Sequence, residues 1–490
     1  MMIPFGEYRP DAAPLAQNTT TLARNVVPGP DGDYLPLPSL IESAGPLPSR
    51  SRGTFGGRGP DGSTYMYCGD GVGLYQFGAG GWTDVSKSGG YTVVGDEQWE
   101  FTQFGDQVIA ASWEVPLQAA AVTGGLFADL LTSTRKPAAR HVGVVNRGWV
   151  VLGNCQDDVD GPRITRVWWL ARGAPADADP DVVTQCDFED LDTEDGQIEK
   201  VIGGEYGTIV MNKAIWRMTY EGPPTVYRFD RIVQNRGAIV AGGVVNFGRS
   251  VFFLDEDGFH VFDGVNSTPI GEGKVNRTIL REMDRGASAW TCSAVYPSQS
   301  VVVWGIPTSS QTVTRLYLFN WKSGRWSEAE VSVESVFSAY SSPLFSDDPA
   351  VGDLLIDDAP QSEWLIDAAD FMGGVTTFGA FTPDHRMRFF SGPAMEATID
   401  TAEVQPFPGI RASVNDIRPI IDGSDASYVS VYTRETQGAV PATRGEVATN
   451  LIGSAGVLSQ GRYLRARVRI PGGFSHAIGI DATFVQEGVR

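Results

Sequence analysis

The chain has 490 residues, 42% of them hydrophobic, with 58 glycines and 30 prolines spread along its length. That composition can fill a core, argues against a disordered chain, and suits many short strands joined by tight turns. The formal net charge of −21, from 59 acidic and 38 basic residues, argues against a globally basic nucleic-acid binder.

Residues 1–50 are punctuated by prolines, from Pro4 and Pro10 to Pro46 and Pro48, with little strand alternation. Proline fixes φ and removes a donor, so this stretch predicts an extended arm. Phe5, Tyr8, Leu15, Tyr34, Leu35, Leu37 and Leu40 are its apolar anchors, on its own domain or on a neighbouring subunit. MMIPFGEYRPD has no apolar leader region, which predicts a product made in the cytoplasm and not secreted by a signal peptide. Cys68, Cys155, Cys186 and Cys292 form no CxxC pair and read as reduced thiols.

From 51 to 342 a loose theme repeats. Thr64 to Cys68 is a strand, Gly69-Asp70-Gly71 a turn and Val72 to Phe77 a strand, followed by Gly80-Gly81-Trp82-Thr83. Leu316 to Phe319, then Lys322-Ser323-Gly324-Arg325-Trp326-Ser327, repeats it. Strands at Gln107–Ser112, Trp149–Leu152 and Thr165–Leu170 fall between. Ile209–Met211 with Ile215–Tyr220, and Val251–Leu254 with Phe259–Phe262 across Asp255-Glu256-Asp257-Gly258, read as hairpins. The theme resembles kelch-type propellers and predicts a β-propeller-like array of about six blades. Leu117–Thr134 is the exception, with apolar spacing that predicts a short helix. Residues 343–363 predict an acidic linker. The strands from 364 to 490 predict a C-terminal β-sandwich-like domain. The whole chain therefore reads as all-β.

No catalytic constellation is legible. His141, His260, His385 and His476 match no metal-ligand spacing, and Gly271-Glu272-Gly273-Lys274 lacks the rest of a P-loop. The sequence predicts no enzyme, cofactor or metal site. Asp157-Asp158-Val159-Asp160-Gly161 and Asp255–Gly258 resemble calcium loops, but turn chemistry alone favours the same residues. Two charged clusters are candidate functional surfaces. Asp187, Glu189, Asp190, Asp192, Glu194 and Asp195 form an acidic run suited to a lumen-facing or interface loop. Arg462, Arg465, Arg467 and Arg469 form a basic row, three of them on one strand face, suited to an interface.

Gly196-Gln197-Ile198, Gly203-Gly204-Glu205-Tyr206-Gly207, Met218–Pro224 with Phe229, Asp257–Gly264 and Pro269–Val275 occur in an order that resembles structural proteins of short-tailed bacteriophages and their prophages. Ile3-Pro4-Phe5-Gly6-Glu7, Pro10-Asp11, Pro36–Leu40 and the tail from Arg418-Pro419 to Gly488-Val489-Arg490 are similar to the same group. In size and all-β character the resemblance is to the tail nozzle, or tail hub, family. It implies a homohexameric tube in the virion tail, docked to the adaptor ring of the head-to-tail connector, associated with tail fibres or a spike, and meeting the host outer surface at its tip. Double-stranded DNA would pass through without specific binding, retained and then released. A receptor-binding or fibre-attachment protein for host glycans is the alternative; a propeller glycosidase and a kelch-type interaction module are further rivals.

Overall fold

The computed structural model describes residues 1–13, 15–16, 18–78, 81–113, 115–309, 312–340, 376–423 and 426–487. Seven antiparallel four-strand units follow one another along the chain. Blade 1 runs Gly53–Arg58, Thr64–Gly69, Leu74–Gly78 and Gly81–Asp84. Blades 2, 3, 4 and 5 open with the strands Glu100–Phe104, Ala138–Val145, Ile198–Ile202 and Val245–Phe247. Blade 6 opens with Cys292–Tyr296 and blade 7 with Ser335–Tyr340. Hairpins with Asp and Gly at their corners, such as Asp255↔Gly258, set the register within blades.

Each seam between neighbouring blades has its own apolar cluster, which is what closes the ring. Tyr67 and Leu74 meet Val108 and Val115 between blades 1 and 2. Leu117 meets Trp168 between 2 and 3, and Trp149 meets Met218 between 3 and 4. Val210 meets Phe253 between 4 and 5, Phe259 meets Trp304 between 5 and 6, and Val303 meets Phe378 between 6 and 7. Met66 and Tyr75 of blade 1 then pack on Phe337 and Phe381 of blade 7. The fold is a β-propeller, with seven blades against the sequence count of about six. The added unit is blade 7, whose outermost strand, Pro38–Pro46, pairs with Arg386–Ala394 from the far end of the chain. No local spacing can reveal that pairing.

The N-terminal 50 residues are therefore built into the fold. Met2–Pro4 pairs with Phe474–Gln486, and Val26–Pro28 pairs with Tyr34–Pro36 in the same sheet. Phe5, Tyr8, Tyr34 and Leu37 are all buried. The second lobe is a sandwich. One face carries Ala412–Gly423, Ala455–Gly461 and Phe474–Gln486; the other carries Ala397–Asp400, Tyr428–Arg434, Ala442–Ala448 and Tyr463–Ile470. Val414, Ile417 and Ile480 meet Val431, Leu464 and Ala466 between them. This lobe starts at 397, not 364, because residues 376–394 complete blade 7. The linker 343–363 lies outside the described residues. Ala23–Arg24 bridges blade 6 to the sandwich, so one nine-stranded sheet spans both lobes.

The helix expected over Leu117–Thr134 is not formed. Val115–Ala121 pairs along Gln107–Ser112, and Ala128–Asp129 adds an edge. Gly124 and Gly125, both at φ +122°, break the run. The α-helix Asn276–Glu282 stands instead after blade 5.

Candidate functional site

The inner strands begin around a common axis, and their starts surround a cavity of about 520 Å³ to which all seven blades contribute. One wall, from blades 2 to 4, is an ionic clasp. Glu100 of blade 2 meets His141 Nδ1 of blade 3 at 2.8 Å and Lys200 Nζ of blade 4 at 3.2 Å. Arg140 of blade 3 forks onto both Glu97 carboxylate oxygens, lies 3.3 Å from Asn154 Oδ1, and stacks 4.1 Å over Trp113. Burial alone would raise the pKa of Glu100, but Lys200 and His141 hold it below the usual carboxylate value.

Glu199, 5% exposed, accepts hydrogen bonds from Gln197 Nε2 at 2.7 Å and Asn212 Nδ2 at 2.8 Å. Burial pushes its pKa up. The facing wall, from blades 1, 6 and 7, carries Arg52, Trp290, Thr291, Glu334 and Ser335. His385 Nδ1 lies 2.9 Å from Glu334, whose pKa burial also raises. Cys292 is partly buried and its thiol is pushed up to about 11 by desolvation, so it is not a poised nucleophile. The cavity has room for a small polar group between walls that carry charged side chains.

The two charged clusters expected from the sequence lie elsewhere. Asp187, Glu189 and Asp190 are on the outermost strand of blade 3, away from the axis. Asp190 is forked by Arg166 at 2.7 and 2.9 Å, Asp192 accepts from Arg231 at 2.6 Å, and buried Asp195 accepts from Trp216 Nε1 at 2.9 Å. Asp187 and Glu189 face solvent on that strand, where their charge guards an open sheet edge against pairing, and Glu194 is exposed in the 3-10 turn Thr193–Asp195 that follows. Arg465, Arg467 and Arg469 lie on the outer face of the sandwich strand Tyr463–Ile470, and Arg462 immediately precedes it. Arg467 forks onto buried Asp400 at 2.6 and 3.1 Å, and Arg465 approaches it at 3.4 Å. Arg469 pairs with Glu446 and Glu396, each at 2.8 Å, and Arg462 stands 3.9 Å from Glu435. All four have partners within the chain.

The two calcium-like loops hold guanidinium groups. Asp157 accepts two 2.6 Å bonds from Arg135 and a further one from Arg166, which also reaches Asp160 at 2.8 Å. In the second loop, Asp255, Asp257 and His260 place ligand atoms within 4.8 Å of one another. Arg236 Nη1 lies among them, 2.8 Å from both Asp257 and His260 Nε2. A fixed cation there disfavours a metal ion.

No family model matches the chain, and no curated protein matches it. Among solved structures, the Neurospora crassa Pan2 WD40 domain aligns over 73% of this chain and 94% of its own, at 9% identity and a TM-score of 0.39. A functionally unknown protein from Desulfotomaculum acetoxidans aligns over 57% of this chain and 85% of its own, at 12% identity and a TM-score of 0.34. The seven closed seams, not these distant likenesses, establish the propeller. The cavity residues escaped the sequence reading because they come from seven separate short segments, each at the start of a different blade.

Proposed function

We propose that this chain is a structural subunit of a short phage tail, the nozzle, in which six copies form a conduit for double-stranded DNA below the adaptor ring. What supports the reading is where the phage-like motifs meet. Ile3 and Pro4 pair with Ile480 and Gly479, and Ile480 also pairs with Pro419. Arg9 donates to Gly273 O at 3.1 Å, and Asp11 N donates to Lys274 O at 3.1 Å. Motif segments from the beginning and end of the sequence and one from the middle, Pro269–Val275, thus converge on the seam between blade 5 and the sandwich, while Gly196–Ile198, Gly203–Gly207 and Met218–Pro224 lie on blade 4. Residues shared for a common architecture would gather at such a seam; residues shared for catalysis would gather in a cleft.

Charge favours the same role. Residues 151–200 hold 13 acidic and 4 basic residues, and residues 341–375 hold eight acidic and no basic ones. Six copies would carry six times −21, or −126, formal charges, which disfavours adsorption of a polyanion to the conduit. Such a subunit would work mechanically and electrostatically, with fibres or a spike attached and the host surface met at the tip.

Cryo-electron microscopy of particles containing the chain tests the proposal. Six copies on the tail axis around a channel wide enough for duplex DNA is the expected result. Three copies at the periphery, or absence from the particle, would overturn it.

A further inference from the structure

At the wall contributed by blades 1, 6 and 7, two cations sit without counter-ions, Arg52 as a lining residue and Arg50 stacked on the lining residue Trp290. Arg50 stacks 3.6 Å over the Trp290 ring and Arg52 lies 5.5 Å from the same ring. Both donate only to backbone carbonyls: Arg50 to Glu334 O at 3.1 Å, and Arg52 to Gly95 O and Glu97 O at 2.8 Å each. Among the described residues, neither guanidinium has a carboxylate at ion-pairing distance. The nearby acids are committed or peripheral. Glu97 is forked by Arg140, Glu334 is held by His385, Asp70 is hydrogen-bonded by Ser49 and the amides of Val72 and Gly73, and Asp96 is exposed at the rim. Burial lowers the pKa of both arginines, the direction expected for a cation whose counter-charge is missing.

The same wall holds unused hydrogen-bonding atoms. Arg50 Nε, Trp290 Nε1, Thr291 Oγ1 and Ser335 Oγ are buried and have no partner. Trp290 and Thr291 are 6% and 4% exposed and line the cavity. Leaving one such group unsatisfied costs about 1–3 kcal/mol, so four at one place call for an acceptor.

We infer that the axial cavity is a binding site for a small oxyanion, a phosphate or a carboxylate, held by Arg52 and by the donors of Trp290, Thr291 and Ser335, with Arg50, stacked on the Trp290 ring, adding positive charge next to the lining. Charge-assisted hydrogen bonds from paired guanidiniums favour such a group over a neutral one. The inference is independent of the tail reading and holds whichever role the chain has.

Isothermal titration of the full chain with inorganic phosphate, and separately with citrate, at matched ionic strength tests it. One saturable site per chain is expected for at least one of the two anions; which one binds decides between a phosphate and a carboxylate ligand. Arg52→Gln is expected to weaken binding by about tenfold or more, and Ser335→Ala and Trp290→Phe by about threefold to tenfold. Arg163→Gln, on the exposed outer part of blade 3, is expected to leave it unchanged. Should Arg52→Gln fail to fold, the Ser335 and Trp290 variants carry the test. No saturable heat with either anion, or wild-type affinity in the wall variants, would overturn the assignment.

Discussion

The carboxylate of Glu7 lies 2.6 Å from the ammonium of Lys274, joining the first ten residues of the chain to the loop that leaves blade 5. Around this pair the N-terminal segment acts as a lace. Tyr8 donates to buried Glu328 of blade 6 at 2.8 Å, and Arg24 meets the same carboxylate at 3.1 Å. Further along, the segment supplies a strand pair to the sandwich and then the last strand of blade 7. Propeller and sandwich are thereby held together by one continuous piece of chain.

Asp11 is the most testable knot in that lace. Its carboxylate accepts from the amides of Arg277 at 2.8 Å and Thr278 at 2.9 Å, and from the Thr278 hydroxyl at 2.7 Å, capping the helix Asn276–Glu282 from a distant part of the sequence. Loss of a cap costs about 1–2 kcal/mol. Asp11→Ala is expected to lower stability by that amount in urea titration, and an unchanged midpoint would show that the segment is not anchored there.

Close approach of neighbouring blades depends on particular glycines near the axis. A Cβ on Gly242 would fall 1.8 Å from Thr291 O, and one on Gly203 would fall 2.1 Å from Val144 O; both obstacles are backbone. Gly242→Ala and Gly203→Ala are expected to destabilise by about 1–3 kcal/mol through overpacking. Gly445→Ala, with nothing within 4 Å of the added methyl, is expected to be nearly neutral. Thermal melts of the three variants give the comparison.

Much of this fold was legible locally and little of it globally. The hairpin of Val251–Leu254 with Phe259–Phe262 could be read because Asp and Gly mark its corner and both arms are apolar. Trp149–Leu152 and Thr165–Leu170 were legible as strands, and they pair as Val151↔Trp169 and Leu152↔Trp168. The closure of blade 7 was not legible, because Phe389 and Phe390 find Ile41 and Leu40 across nearly the whole chain. Ala119, Ala120, Leu130 and Leu131 imitate helical spacing, yet a strand edge and two glycines decide their conformation. The cavity was invisible for a similar reason: Arg52, His141, Lys200 and Trp290 share no motif and meet only because each follows a connection to an inner strand.

Asp400 organises the basic row. It is fully buried and accepts the Arg467 fork while Arg465 approaches. Asp400→Asn removes the charge that both guanidiniums use and is expected to cost about 1–3 kcal/mol. Arg469→Ala breaks only surface pairs and is expected to cost under about 1 kcal/mol. If the row also meets a second subunit, Arg469→Ala will change the sedimentation coefficient of the assembly with hardly any change in its melting temperature. A large loss of stability with unchanged assembly would place the row in a purely internal role.

Two cavity glutamates are expected to respond to pH with opposite signs. Burial raises the pKa of Glu199 above the unfolded value of about 4.3, so its contribution to stability is present at low pH and is lost as pH rises through the folded value. Glu199→Gln keeps the acceptor used by Gln197 and Asn212 and removes that loss. It is expected to melt above the wild type near pH 7 and to match it near pH 4. Burial works against Glu100 as well, but Lys200 and His141 outweigh it, and its folded pKa lies below the unfolded one. Its contribution is present at neutral pH and is lost as pH falls through the folded value. Glu100→Gln is therefore expected to melt below the wild type near pH 7, with the gap closing in acid. Melting temperatures of the three proteins from about pH 3 to 8 separate the cases. A Glu199→Gln protein less stable than wild type at neutral pH would mean that Glu199 is a satisfied carboxylate, and that the cavity wall around it is more polar than its burial implies.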